Sequence, residues 1–300
     1  MSITTDCTCI APNTRAPKKE NIVRFGEDTP VLVPDTMPTI PQDIADKLIA
    51  NKDSENTVLV TMADYTQRDY VYNWIQLLKQ THQPNDEASA QFVVFCRDPK
   101  LYVHLIVAGY ESNAILIPDE WTTTSHIIQR LLYINIHILL LDPDVIMLRD
   151  PRPFMNTLLK IRPDTHLLMG QRIDSGMVMI RANSRHVRRV VAQTMADGWE
   201  ASLNRVLGSR ELHVKEGMVV LLDPLHFANQ ETYVDRQLPN KLGITPYLVH
   251  LNKVEDERDL LRKQDGFWVV NEDQLASLDR QVEAFRQWQP VQFVNEKANF

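Results

Sequence analysis

The run Ile136-His137-Ile138-Leu139-Leu140-Leu141-Asp142-Pro143-Asp144 constrains this chain more than any other stretch. Its apolar part is too short to cross a membrane and reads as a strand buried on both faces. Such a strand belongs in a sheet covered on both sides, which means an α/β layering. At its C-terminal end stand two carboxylates separated by one residue, Asp142 and Asp144. Ligands of open α/β sheets bind at that end of the strands. Two carboxylates placed there repel each other and lose hydration unless a cation lies between them. Hard cations such as Mg²⁺ or Mn²⁺ take oxygen ligands, with phosphate oxygens and water completing the shell. One reading is therefore a metal–diphosphate site. The other is a tight turn after a core strand, for which Asp-Pro-Asp is well suited. Both stay open from these residues alone.

The surrounding pattern supplies the rest of a sheet. Thr57 to Met62 reads as a first strand, followed by the polar turn Ala63-Asp64-Tyr65-Thr66. Val71, Trp74, Ile75 and Leu78 then fall at helical spacing. Gln91 to Cys96 is a second strand; Asp98-Pro99 caps and opens a helix that Gly109 ends. Ala114 to Ile117 is a third strand, and Ile127, Ile128, Leu131 and Leu132 line a helix feeding the central strand. Strands alternating with helices at this spacing predict a parallel, Rossmann-like sheet. Further strands are expected at Leu167 to Met169, Met177 to Ile180 and Met218 to Leu222, and an extended run at Tyr247 to Asn252. Helices are expected at about 184–196, 200–207 and 272–288, the last capped by Asn271 with Leu275, Leu278, Val282 and Phe285 inward. Ile44, Leu48 and Ile49 form the apolar face of a short leading helix. Residues 1–40 carry several prolines without periodicity and read as an arm, leaving 41–300 as one domain.

A net charge of −7 argues against a general nucleic-acid binder and against an anionic membrane surface. No run approaches the roughly 20 apolar residues of a spanning helix, and the first residues lack a signal peptide's charged head and apolar core. Cys7 and Cys9 are too close for an easy bridge, and Cys96 lies in an apolar run. A cytoplasmic location is the expectation.

The ordered set of features resembles a nucleotide-diphospho-sugar transferase of glycosyltransferase family 77, with family 8 more distant. The resemblance runs from Thr57 to Trp74, including Asn73-Trp74, and through Leu139 to Pro151. It continues at Asp174-Ser175-Gly176-Met177-Val178-Met179-Ile180-Arg181, His250-Leu251-Asn252 and Gly266-Phe267-Trp268. It implies a GT-A fold: a mixed, mainly parallel Rossmann-like sheet flanked by helices, with the D-x-D at the end of a central strand. It also implies Mn²⁺ or Mg²⁺, a UDP-sugar donor and transfer with retention of anomeric configuration.

By the same resemblance, Asp142, Asp144 and His250 form the metal site, one aspartate reaching the ion and the other the ribose or a bound water. A mixed carboxylate–imidazole shell suits Mn²⁺ better than Mg²⁺. Thr61, Ala63 and Asp64 stand where uracil and ribose would lie, and Ser175 and Gly176 where backbone approaches the donor sugar. Asn252 holds the His250 loop or touches the diphosphate, whose charge Arg258 or Lys253 balances. Asp174 and Glu200 are the candidate catalytic groups beside the sugar's reacting carbon. By themselves, Asn73 and Trp268 read as packing residues, and Arg149-Asp150 as a turn pair.

The chain departs from the family at several places. Pro143 stands between the aspartates, Thr124 and Ser125 where a lysine is common, and Asn135 where a glycine precedes the strand. Trp199-Glu200 replaces an Asp-Gln pair, and Lys253 to Arg258 follows His250-Leu251-Asn252 in place of glycine and lysines. These departures keep a catalytically degenerate binding module as an alternative. A further alternative is a haloacid-dehalogenase-type phosphatase with Asp142 as nucleophile, which leaves the first 135 residues unexplained. A sugar-nucleotide pyrophosphorylase would need a glycine-rich basic loop after the first strand, and Met62 to Thr66 is not one.

Overall fold

A computed structural model describes residues 40–82, 91–118, 121, 123–170, 176–182, 187, 219–251 and 266–288. The expected arm, most of the segment 184–207, and Asp174, Ser175, Glu200, Asn252 and Arg258 lie outside the described residues.

The chain forms a mixed, mainly parallel Rossmann-like sheet, whose parallel part the alternation of strands and helices predicts. Strands β1 (Thr57–Ala63), β2 (Val93–Cys96), β3 (Ala114–Leu116) and β4 (His137–Leu141) pair in parallel, in the order β3-β2-β1-β4. β5 (Ile146–Met147) leaves the sheet. β6 (Leu167–Met169), β7 (Met177–Ile180) and β8 (Val219–Leu221) then complete seven strands in the order β4-β7-β6-β8. β7 runs antiparallel to both neighbours, while β8 pairs in parallel with β6. β9 (Phe227–Asn229) and β10 (Leu248–His250) form a small second sheet with β5, in which β10 is central.

Alternation along the strands sends side chains to two cores. Leu139 and Leu141 of β4 face helices α2 (Arg68–Gln80), α3 (Pro99–Val107) and α5 (Arg152–Ile161). Ile138 and Leu140 face the opposite layer, made by α1 (Gln42–Ala50) and α4 (Thr124–Leu131). The central strand is thus apolar throughout because both of its faces are covered. Val71, Trp74, Ile75 and Leu78 of α2 are all buried, as their spacing requires. In α1, Ile44 and Leu48 are buried but Ile49 is 52% exposed. The pair four apart shares a face, whereas Ile49 lies a further 100° around the helix.

Local signals close the elements. The Asp98 carboxylate accepts from the backbone of Lys100 (2.8 Å) and Leu101 (3.0 Å), and Pro99 opens α3. Asn135 adopts φ +57, the left-handed conformation that asparagine tolerates better than most residues. The glycine position ahead of β4 is therefore filled without loss of the turn.

The short helix α6 (Leu238–Leu242) precedes β10, and the long helix α7 (Glu272–Trp288) ends the described chain. The Asn271 side chain caps α7 by accepting from Gln274 N (3.0 Å), and Leu275 and Val282 are buried. Asn73 ties the strap before α7 to α2: its amide donates to Phe267 O (3.0 Å) and accepts from Val269 N (2.7 Å). Asn73 is thus a structural clamp joining two of the pieces that carry the family resemblance. Trp268 is half-buried, edge-on to Tyr70 at 5.7 Å.

Asp279 anchors α7 itself. Its carboxylate accepts from Tyr65 Oη (2.6 Å), from Arg68 Nε and Nη2 (3.2 Å each), and from the fully buried His104 Nε2 (3.0 Å). Burial opposes ionisation of Asp279, but hydrogen bonds from Tyr65 and Arg68 and the Arg68 charge outweigh it, holding the carboxyl below its ordinary value. Burial also lowers His104, against the pull of Asp279. Burial first, then the hydrogen bond to Asp279, pushes Tyr65 up to about 12.

Both lowered groups act in one direction. As pH falls below the ordinary histidine value of 6.5 the unfolded chain takes up a proton that folded His104 resists, so stability declines. The Asp279 contribution is lost only lower, as pH falls below 3.8. The melting temperature should therefore fall between about pH 7 and pH 5, and the fall should shrink in His104→Gln. An equal fall in both proteins would remove His104 as the cause.

Candidate metal centre

The end of β4 is where three separate elements meet. The pairing Leu141↔Met177 sets the residue after β4 beside the residue before β7, and Asp142 N donates to Gly176 O at 2.8 Å. The chain then turns, with Val145 N donating to Asp142 O at 3.1 Å. Proline suits the second position of such a turn, where no backbone donor is needed. The turn reading and the metal reading of Asp-Pro-Asp are thus compatible.

From this turn β5 pairs antiparallel with β10, Ile146 opposite Val249 and Met147 opposite Leu248. One further step along that register sets Val145 opposite His250. The side chains of Asp142, Asp144 and His250 each offer a ligand atom, and these atoms all lie within 4.8 Å of one another. His250 Nε2 is 3.3 Å from Asp144 Oδ1, and both side chains are mostly buried. Opposite ligands of a small divalent cation are separated by about 4.2 Å. The three atoms thus stand at separations of the order found between ligands around such an ion. The donor set of two carboxylates and an imidazole fits Mn²⁺, Fe²⁺ or Zn²⁺ chemistry better than that of an all-oxygen calcium cage.

The uracil-end candidates are placed less simply. Thr61 is fully buried, its side chain on the face that α2 covers, and Thr61 Oγ1 has no hydrogen-bond partner among the described residues. Ala63 is fully buried, and its carbonyl accepts from Arg97 N (2.8 Å). The Asp64 carboxylate accepts from Thr66 N (2.8 Å) and Thr66 Oγ1, while Asp64 N donates to Gln67 Oε1 (3.3 Å). This capping box turns the chain after β1. Of these three, Asp64 is the one whose side chain is partly accessible.

Arg97 was not among the residues the sequence singled out. It stands one residue past β2, exposed, with Nη2 3.1 Å from Thr124 Oγ1. Its backbone pairs in height with the end of β1, and β1 separates β2 from β4, so it stands at the same end of the sheet as the Asp-Pro-Asp turn, two strands away from β4. A cavity of about 260 Å³ there is lined by Arg97, Trp121, Thr123 and Thr124 among others. The position at a strand's C-terminal end was the available signal. Arg149 and Asp150 lie where the chain bends, as expected, but their side chains take different partners. Arg149 packs over the Tyr247 ring at 4.2 Å, and Asp150 pairs with Arg152 at 2.8 Å.

No family model matches the chain, and no curated protein matches it. Solved structures give low-identity likenesses. The glycosyltransferase GlyE of Streptococcus pneumoniae TIGR4 has a TM-score of 0.43 at 12% identity, over 75% of this chain and 64% of GlyE. The galactosyltransferase LgtC, in complex with donor and acceptor sugar analogues, has a TM-score of 0.42 at 15% identity, over 65% of this chain and 87% of LgtC. The bifunctional glycosyltransferase WbbM has a TM-score of 0.44 at 10% identity, over 67% of this chain and 46% of WbbM. The chain thus spans less than two thirds of GlyE and about half of WbbM.

Proposed function

We propose that this chain is a metal-dependent glycosyltransferase that moves a sugar from a UDP-sugar to a hydroxyl acceptor with retention of configuration. The observation that carries this reading is the convergence of Asp142, Asp144 and His250 at the C-terminal end of β4. That end of an α/β sheet is where a nucleotide ligand is expected, beside the point at which the strand order reverses between β1 and β4. A bound Mn²⁺ there would neutralise charge on the departing diphosphate.

In the transfer, the bond between the sugar's C1 and the diphosphate oxygen breaks, and the acceptor's hydroxyl oxygen bonds to C1. The hydroxyl proton passes to a carboxylate or to the departing phosphate; Asp174 and Glu200 remain the candidates for the carboxylate. Ser175 and Gly176 would meet the sugar, and Asn252 and Arg258 the diphosphate. The uridine would fall to Asp64, the accessible one of the three candidates for that end. The phosphatase alternative leaves β1, β2 and β3 without a role, whereas here they share the sheet of β4 and bring Asp64 and Arg97 to its edge.

The test is release of UDP from a panel of UDP-sugars, with Mn²⁺, with chelator, and with candidate acceptors. Metal-dependent release from one donor is the expected result. Tight Mn²⁺–UDP binding without turnover of any donor would favour the binding module, and no UDP binding in either condition would end both readings.

A further inference from the structure

We propose that Gly176 is the positioning residue of this centre, leaving room for the His250 imidazole through the absence of its own side chain while its carbonyl holds the Asp142 backbone. This role rests on the metal reading above. Gly176 touches the centre from two sides. Its carbonyl accepts from Asp142 N at 2.8 Å, fixing the start of the Asp-Pro-Asp turn. A Cβ on Gly176 would lie 3.0 Å from both Cδ2 and Cγ of His250 and 2.7 Å from Cγ2 of Val145. The ring atoms belong to a packed, mostly buried imidazole and Val145 lies within the turn, so neither neighbour is a flexible chain end.

Among the described glycines with positive φ, the crowding is particular to this position. Gly109, Gly243 and Gly266 also have positive φ, yet a Cβ on any of them would meet nothing within 4 Å. Gly243 even has nearly the same φ, +66 against +65 for Gly176. Backbone permissiveness therefore explains the other three glycines, but Gly176 is also required for space. An added methyl group must push the imidazole away from the aspartates or lever the turn outward. Either shift separates the three ligand atoms.

The experiment compares Gly176→Ala with Gly243→Ala, which also places a side chain at positive φ but away from any such contact. Mn²⁺ affinity is read by electron paramagnetic resonance of the free ion, and folding by circular dichroism and thermal unfolding. Gly176→Ala should bind Mn²⁺ about tenfold to a hundredfold more weakly, the range typical of lost support around a metal ligand. Gly243→Ala should lose stability only. The Val145→Ala/Gly176→Ala double variant removes the closest contact and keeps the one with His250; folded, it should still bind weakly. In a His250→Ala background, adding Gly176→Ala should cost less affinity than in the wild type, because its main target is gone. Wild-type affinity in a folded Gly176→Ala or in the double variant would overturn the positioning role. Absence of Mn²⁺ binding in the wild-type protein would instead overturn the metal reading on which it rests.

Discussion

Arg152→Ala should cost this protein about 3–5 kcal/mol of stability, the usual loss when one partner of a buried ion pair is removed. Arg152 is only 2% exposed, the one charged side chain among the largest fully buried ones described. Its Nε donates to both Asp150 oxygens (3.1 and 3.0 Å), Nη2 lies 2.8 Å from Oδ2, and Nη1 donates to Gln91 O (3.0 Å). Without the guanidinium, Asp150 is left largely buried beside His82 Nε2 at 3.0 Å, and the Gln91 carbonyl loses this donor. Arg152→Lys keeps the charge but not the planar fork, so its loss should be intermediate. The consequence reaches function because the pair secures the chain between β5 and α5, and β5 pairs with the strand carrying His250. Urea unfolding measures the loss directly. A change below about 1 kcal/mol would mean the pair contributes no more than an exposed one.

Asp144→Asn should abolish Mn²⁺ binding in practical terms. Loss of support around a ligand already costs about 10–100-fold, and this substitution removes a ligand charge at nearly constant volume. Mn²⁺-dependent UDP affinity should fall with it, and chelation should no longer change UDP binding. Stability should move the other way or not at all when metal is absent. Two carboxylates crowded within one group repel each other, so neutralising one relieves strain in the metal-free fold. Calorimetric titration of UDP with and without Mn²⁺, beside a thermal melt in chelator, gives both readouts. A variant that keeps Mn²⁺-dependent UDP binding would remove Asp144 from the site. A marked fall in melting temperature in chelator would show that its contact with His250 is structural.

The sheet and its coverage were legible in the sequence because their signals are local. The run through Leu139 to Leu141 states that both faces of β4 are covered, and the spacing of Val71, Trp74, Ile75 and Leu78 states which side of α2 packs. Asp98-Pro99 and Asn271 mark helix starts within a few residues of where they act. The two aspartates and their place at a strand end were legible for the same reason, and His250 was named through its resemblance alone.

Long-range partners were decided only in three dimensions. The approach of His250 to Asp144 depends on β5 pairing with β10, and that register is a property of two segments far apart in the chain. Gly176 reads in sequence as a residue for close approach, but what it must avoid is the His250 ring, which arrives from another sheet. Asp150 stands next to Arg149 in sequence yet pairs with Arg152, since the first turn of α5 carries that guanidinium back over the carboxylate. Arg97 meets Thr124 because parallel strands bring the ends of β2 and the start of α4 to one edge. Periodicity and capping are written in neighbouring residues, whereas these contacts arise where strand register and helix packing bring distant residues together.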